Sequence, residues 1–180
     1  MTVPTGPLDG IRVIDMTTTL AGPYGSQILG DFGADVIKIE APGGDAIRNA
    51  GPQRHQGMAA TFMGCNRNKR SAVLDLKTAT GKAALWKLLE TAQVFLHAIR
   101  PQKIAALGFD AASVMQRRPD IVYAALHGYH EHGPYGGRPA YDDVIQGEAA
   151  ITDTFTLRDG KPAMVPSSFA DKNTGLITAN

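Results

Sequence analysis

Two short β-branched runs flanking one turn-and-helix stretch constrain this chain more than any other feature. Ile11-Arg-Val-Ile-Asp15 has the composition of a strand and ends in a carboxylate. Gly22-Pro23 opens a helical stretch to about Phe32, and Pro23 suits a first turn because an N–H there would have no helical partner. Gly33 closes that stretch, and Asp35-Val-Ile-Lys-Ile-Glu40 is the second run. This β-α-β unit predicts a parallel strand pair joined by a right-handed crossover.

The alternation continues. From Ala41 to about Gly57 the chain is Gly/Pro-rich and polar, and reads as a long loop. Ser71–Asp75 reads as a third strand. A helix follows, with Ala84, Leu85, Leu88, Leu89 and Ala92 on one stripe at helical spacing. Val94–Ala98 is a fourth strand, Pro101–Leu107 and Ala111–Arg117 are short helices, and Ile121–Leu126 is a fifth strand. Strands and helices in turn predict an α/β fold: a Rossmann-like, mostly parallel sheet with helices on both faces. After Leu126 the pattern changes to a Gly/Pro/His-rich loop over Gly128–Pro139. A helix from Asp142 to about Ala150, a β-like run around Phe155, a turn at Arg158-Asp159-Gly160 and a helix from Asp171 complete the expectation.

Composition removes several function classes. A net charge of +1 gives no electrostatic footprint for nucleic acid. The single cysteine, Cys65, excludes an internal disulfide framework and a cysteine-based zinc site. No apolar run approaches the ~20 residues that cross a membrane, and the N-terminus lacks the blocks of a signal peptide. The expected compartment is the cytoplasm.

Individual motifs are weaker than they first look. Gly22, Gly25 and Gly30 lie between the first two strands and Glu40 ends the second, as a dinucleotide site would want. The spacing Gly22-Pro-Tyr-Gly25 nevertheless lacks the tight Gly-x-Gly turn, so a plain glycine-rich turn is the better reading. His127, His130 and His132 have loop-like spacing with only Glu131 among them, and read as loop histidines rather than a metal site. Asn66-Arg-Asn-Lys-Arg70, followed by Lys77, is the one dense basic cluster. Asp171 sits where a helix should start, a position in which aspartate usually serves as a cap.

Taken in series, the motifs resemble the class III CoA-transferases, also called the CaiB/BaiF family. They are Pro7–Asp15, Ala21-Gly-Pro23, Leu29–Glu40, Asn68–Lys77 with Gly81-Lys82, Arg100-Pro101, Gly128-Tyr129, Gly133-Pro134, Arg138–Asp142, Asp159-Gly160 and Ala170-Asp171. The resemblance implies that residues 1–180 are the N-terminal part of a large Rossmann-like domain, with a small domain and a return segment absent. It implies interlocked homodimers that exchange coenzyme A between an acyl-CoA and a carboxylic acid acceptor, with no tightly bound cofactor and no metal. Asp171 is then the carboxylate nucleophile, with Asn173 or Gly175 near the acyl oxygen. Ala21, Leu74, Lys77 and His127 are the CoA contacts. Because Asp171 lies nine residues before Asn180, the chain is expected to be the front of something longer and weakly active or inactive alone.

Leu20, Ala41-Pro42 and Ala98-Ile99 depart from the family pattern and remove hydrogen-bond donors from the expected CoA path, each worth about 0.5–1.5 kcal/mol. Relatives that racemise α-methylacyl-CoA carry Gly-His-Asp where this chain has Ala140-Tyr141-Asp142. Inversion needs two acid–base groups, and a tyrosine with an ordinary pKa near 10 serves poorly as one. The transferase is the expected activity, with the racemase and a non-catalytic fragment as the alternatives.

Overall fold

Side chains alternate across a strand, and each inner strand here is apolar on both faces at its N-terminal end. Such strands need cover on both sides, and they have it. A computed structural model describes residues 6–180. In chain order it has β1 (Arg12–Met16), α1 (Ala21–Asp31), β2 (Asp35–Glu40), α2 (Ala60–Cys65), β3 (Lys69–Val73), α3 (Ala79–Leu89), β4 (Val94–His97), α4 (Pro101–Leu107) and α5 (Ala111–Arg117). β5 (Val122–Ala125), α6 (Asp142–Glu148), α7 (Ile151–Asp159) and α8 (Phe169–Ala179) follow. The five strands are parallel throughout, in the order β3-β2-β1-β4-β5.

One face packs Ile14, Met16, Ile37, Ile39 and Phe95 against Leu85 and Leu89 of α3, Ile104 of α4 and Val114 of α5. The other carries a smaller cluster of Val13, Ala34 and Val36 with Leu29 of α1. Toward the C-terminal ends of β1 and β2 that second face turns polar, with Asp15, Lys38 and Glu40 in the same alternation as Val13 and Val36, and Lys69 joins them from the start of β3, in register with Val36. Among the described residues no helix is long and apolar enough to cross a membrane.

Most expected elements stand where the pattern puts them, including both α4 and α5. Pro101 at the first turn of α4 and a left-handed Gly108 (φ 84°) after its end mark the first of these. Four expectations need correction. β3 lies two residues earlier than Ser71–Asp75, since its register on β2 carries the Lys69 amine inward to Asp15. The loop expected over Ala41–Gly57 holds one turn of 3-10 helix at Ala46–Asn49, and α2, for which there was no expectation, follows it. α8 begins at Phe169, so Asp171 is inside its first turn. The run around Phe155 is helix α7, not β. Thr152, Thr154 and Thr156 read as strand formers, but no strand edge lies beside them. A segment without a neighbouring strand satisfies its backbone only through its own hydrogen bonds, as a helix.

Candidate active site

In an open parallel sheet the crevice lies beyond the C-terminal strand ends, where the strand order reverses. That point here is between β1 and β4, and the loops after β1, β4 and β5 splay around it. They enclose a cavity of about 490 Å³ with the first turn of α8, lined by Leu20, Ala21, Arg100, His127, Tyr141 and Asp171 among others.

Two glycines bring Asp171 to this crevice. A Cβ on Gly175 would stand 2.7 Å from the Ala21 carbonyl oxygen, and one on Gly25 would stand 2.9 Å from the Gly175 carbonyl oxygen. Only their absence lets α8 lie against α1 and sets Asp171 beside the start of α1. A polar strap fixes the approach. Buried Gln146 donates to Asp142 Oδ2 (2.6 Å) and to the Ser167 carbonyl (3.3 Å), and accepts from the Val165 amide (2.9 Å). Asp142 Oδ1 in turn accepts the Asp171 amide at 2.9 Å. The Asp171 carboxylate itself has no hydrogen-bond or ion-pair partner among the described residues. Burial raises its pKa above the ordinary carboxylate value, and the charge of Asp142 adds to the effect. A half-buried, unpaired and more basic carboxylate is a stronger nucleophile than a solvated one, while its first-turn position favours the anion.

The wall from β4 and β5 is a hydrogen-bonded stack. His97 Nδ1 accepts the Ile99 amide (3.2 Å), and Tyr123 donates to the Phe109 carbonyl (2.9 Å). His97 Nε2 therefore carries the proton and donates to the Tyr123 oxygen at 2.7 Å. Burial first, then His127, push the His97 pKa down to about 4, so it stays neutral. His127, which lines the cavity, donates from Nε2 to the Ile99 carbonyl (3.0 Å), so its Nδ1 is the acceptor nitrogen.

Beneath the β1–α1 loop, Asp15 is buried with Lys69 at 3.1 Å and the Ser26 hydroxyl at 2.6 Å. Burial raises its pKa, but Lys69, Lys38 and the Ser26 and Thr17 hydroxyls outweigh that and leave it below the ordinary value. In this loop Thr19 has φ 70°. For a β-branched residue that left-handed conformation costs on the order of 1–3 kcal/mol.

The other expected residues are spread more widely. The cavity brings together Asp171, Ala21 and His127. Leu74 packs against the larger core cluster and Lys77 is exposed, both beyond the end of β3 and away from the cavity. Asn173 donates to the Phe169 carbonyl (2.7 Å) and Gly175 is closed in the helix contact, and neither lines the cavity. The basic cluster is structural: Arg67 pairs with Asp31, Lys69 with Asp15 and Arg70 with Asp35. Glu40 is held by Arg48 Nε and Nη2, the Ser71 hydroxyl and the Asp45 amide, and Gly25 by α8, so neither dinucleotide feature is free. No cluster of three or more metal-ligating side chains occurs among the described residues.

The model of CoA-transferase family III matches residues 8–180. The chain belongs to that family. It is 40% identical to the probable fatty acyl-CoA transferase Rv3272 of Mycobacterium tuberculosis, over 98% of this chain and 45% of that protein. It is 37% identical to the succinate–glutarate CoA-transferase of Agrobacterium fabrum, over 97% and 45% respectively. A crystal structure of a CaiB/BaiF family protein from Brucella suis superposes with a TM-score of 0.91 at 37% identity, covering 97% of this chain and 47% of that one. The chain thus spans less than half the length of the curated CoA-transferases it matches.

Sequence reasoning quoted Arg138–Asp142 only as a motif and missed what Asp142 and Gln146 do. Their i, i+4 spacing was the one available signal. The bond from the Thr19 amide to Asp45 Oδ1 (3.2 Å) left no signal at all, because it joins residues far apart in sequence.

Proposed function

We propose that this chain is the N-terminal part of the large domain of a CoA-transferase that moves coenzyme A between carboxylic acids through a covalent aspartyl intermediate on Asp171. The observation that carries the reading is the unpaired, half-buried Asp171 carboxylate in a crevice at the topological switch point. An Asp171 oxygen attacks the thioester carbonyl, the C–S bond breaks, and a mixed anhydride forms with release of the CoA thiolate. The thiolate then attacks the aspartyl carbonyl, freeing the donor acid and leaving an enzyme thioester. The acceptor carboxylate attacks that thioester, and the thiolate returns to the acceptor's acyl carbon and restores Asp171. Each step exchanges one acyl–heteroatom bond for another, which is what covalent catalysis gains.

Ala21 and His127 line the path of the CoA arm in this reading, and the acyl-CoA is a substrate rather than a held cofactor. Leu74 and Lys77 contact the nucleotide end, at the same C-terminal edge of the sheet. Tyr141 lines the cavity at the position of the racemase histidine, which speaks against the racemase, whose inversion needs two acid–base groups. The same reading takes the protein to be cytoplasmic and homodimeric, with full turnover in the longer chain of its relatives and weak turnover in these 180 residues.

The test is calorimetric titration with CoA, followed by mass spectrometry after mixing with an acyl-CoA. Saturable binding, and an adduct that maps to Asp171 and vanishes in Asp171→Ala, are the expected results. An adduct on another residue, or transfer that survives Asp171→Ala, would overturn the mechanism.

A further inference from the structure

The β1–α1 loop forms one wall of the cavity through Thr18, Thr19, Leu20 and Ala21. Locally it is held only at its start, where Asp15 accepts the Thr17 amide (2.8 Å) and hydroxyl; Leu20 at the start of α1 supplies no capping side chain. Its Thr19 lies at φ 70°. Among the described residues two other non-glycine residues share that region, Asn68 and Ala150, and Thr19 is the only β-branched one of the three. Such a conformation persists only where the surroundings over-determine it.

The surroundings here are a buried ion pair from another part of the chain. Lys38 Nζ and Asp45 Oδ2 are 2.9 Å apart, with their side chains 2% and 0% exposed. Each partner also grips the loop backbone. Lys38 Nζ donates to the Thr17 carbonyl at 2.8 Å, and Asp45 Oδ1 accepts the Thr19 amide at 3.2 Å. Asp45 is fixed in its turn, its own amide donating to Glu40 Oε2 (2.9 Å) while Arg48 holds both Glu40 oxygens at 2.7 Å. A buried ion pair is a poor source of stability compared with packed apolar residues. Its geometry here, one bond to the carbonyl two residues before the strained residue and one to that residue's own amide, fixes the backbone that leads into Thr19.

We propose that Asp45 and Lys38 are positioning residues that hold Thr17–Ala21 in the shape that makes it a wall of the ligand cleft. They touch no ligand themselves and act through the left-handed Thr19. The inference rests on the reading of the cleft as a CoA site, and the experiment separates the two.

CoA affinity by calorimetry and amide exchange at residues 17–21 are measured for the wild-type chain, Asp45→Ala, Asp45→Asn and Asp45→Ala/Thr19→Gly. Asp45→Ala is expected to weaken CoA binding about tenfold and to speed exchange of the Thr19 amide. Asp45→Asn keeps an oxygen for Thr19 and loses the charge facing Lys38, so its loss falls between. Glycine adopts φ near +70° without steric cost, so Thr19→Gly restores most of the affinity lost in Asp45→Ala. Because Thr19→Gly also relieves strain and so raises stability, affinities are compared under conditions in which urea unfolding shows every variant folded; rescue there distinguishes positioning from mere structure. Wild-type affinity in Asp45→Ala, or loss without rescue, overturns the proposal. If Asp45→Ala does not fold, unchanged affinity in Asp45→Asn overturns it equally. If the wild-type chain binds no CoA, the functional reading falls, and unaltered Thr19 exchange in the variants still decides the clamp.

Discussion

The sheet region, up to Leu126, and the segment after it are held together by different means. Every buried apolar side chain among the described residues lies at or before Ile121, and the two core clusters belong wholly to the sheet and its helices. After Leu126 the only buried residues are Gln146 and Gly175, while Tyr141, Leu157 and Ile177 are 72%, 89% and 76% exposed. Apolar burial holds the first region. A hydrogen-bond strap and one glycine contact between helices hold the second, and that second region carries Asp171. The difference separates what specifies the fold from what presents the carboxylate, so the two should fail separately.

The sharpest way to break this contrast is to truncate one large apolar residue in each region. Phe95 is fully buried among Ile14, Leu85 and Tyr123, and Phe95→Ala should cost about 3–5 kcal/mol in urea unfolding. Leu157→Ala, in α7, should stay within about 0.5 kcal/mol. Similar losses from the two would mean that the later segment has a core of its own.

The second test uses pH and belongs to the sheet region. His97 titrates at about 4 in the fold, against 6.5 when unperturbed. As pH falls the unfolded chain takes up the proton first. The stability from the neutral His97 is therefore complete above about pH 6.5 and is lost down to about pH 4, on the order of 3 kcal/mol in total. His97→Gln should flatten the urea-midpoint profile across that window. An unchanged slope would assign the loss to other groups.

These contrasts explain what the sequence disclosed. Ile14, Ile37, Leu85 and Leu89 announce themselves through spacing, because burying them is what the sheet and α3 exist to do. Pro101 and Gly108 bracket α4 for reasons internal to that helix. Asp171 was found from the series of motifs around it, not from its local sequence, where it looked like a cap. The neighbours that shape its chemistry are of another kind. Asp142 acts on it across 29 residues and Asp45 reaches Thr19 across 26, and no periodicity reports pairs so distant. Lys69 reads as one cation of a dense basic cluster, because nothing in its sequence surroundings predicts that Asp15 lies opposite, buried. Thr152 to Thr156 misled for the opposite reason: local preference was strong, and no sheet edge was there to receive it.

A third prediction loosens the later region alone. Any side chain on Gly175 meets the Ala21 carbonyl, which is backbone and cannot turn away. Gly175→Val should therefore weaken the α1–α8 contact by about 1–3 kcal/mol. Amide exchange in residues 169–179 should accelerate roughly 10-fold or more, with protection in β1 and β4 unchanged. Equal acceleration in the strands would show that the two regions unfold as one unit.

The smallest expected effect bears most directly on why Asp171 is there. Its carboxylate binds a proton more tightly in the fold than in the unfolded chain, because burial and Asp142 both disfavour the charge. Above the folded pKa the ionised group therefore lowers stability, and below the unfolded value it does not. Asp171→Asn should raise the melting temperature slightly at pH 7, with the gain vanishing on acidification. A cap would behave in the reverse way: removing a charge that served the α8 amides would lower the melting temperature, most of all at neutral pH. A small gain would mean that the fold tolerates this aspartate for its chemistry, since nothing in the packing asks for a charge at that position.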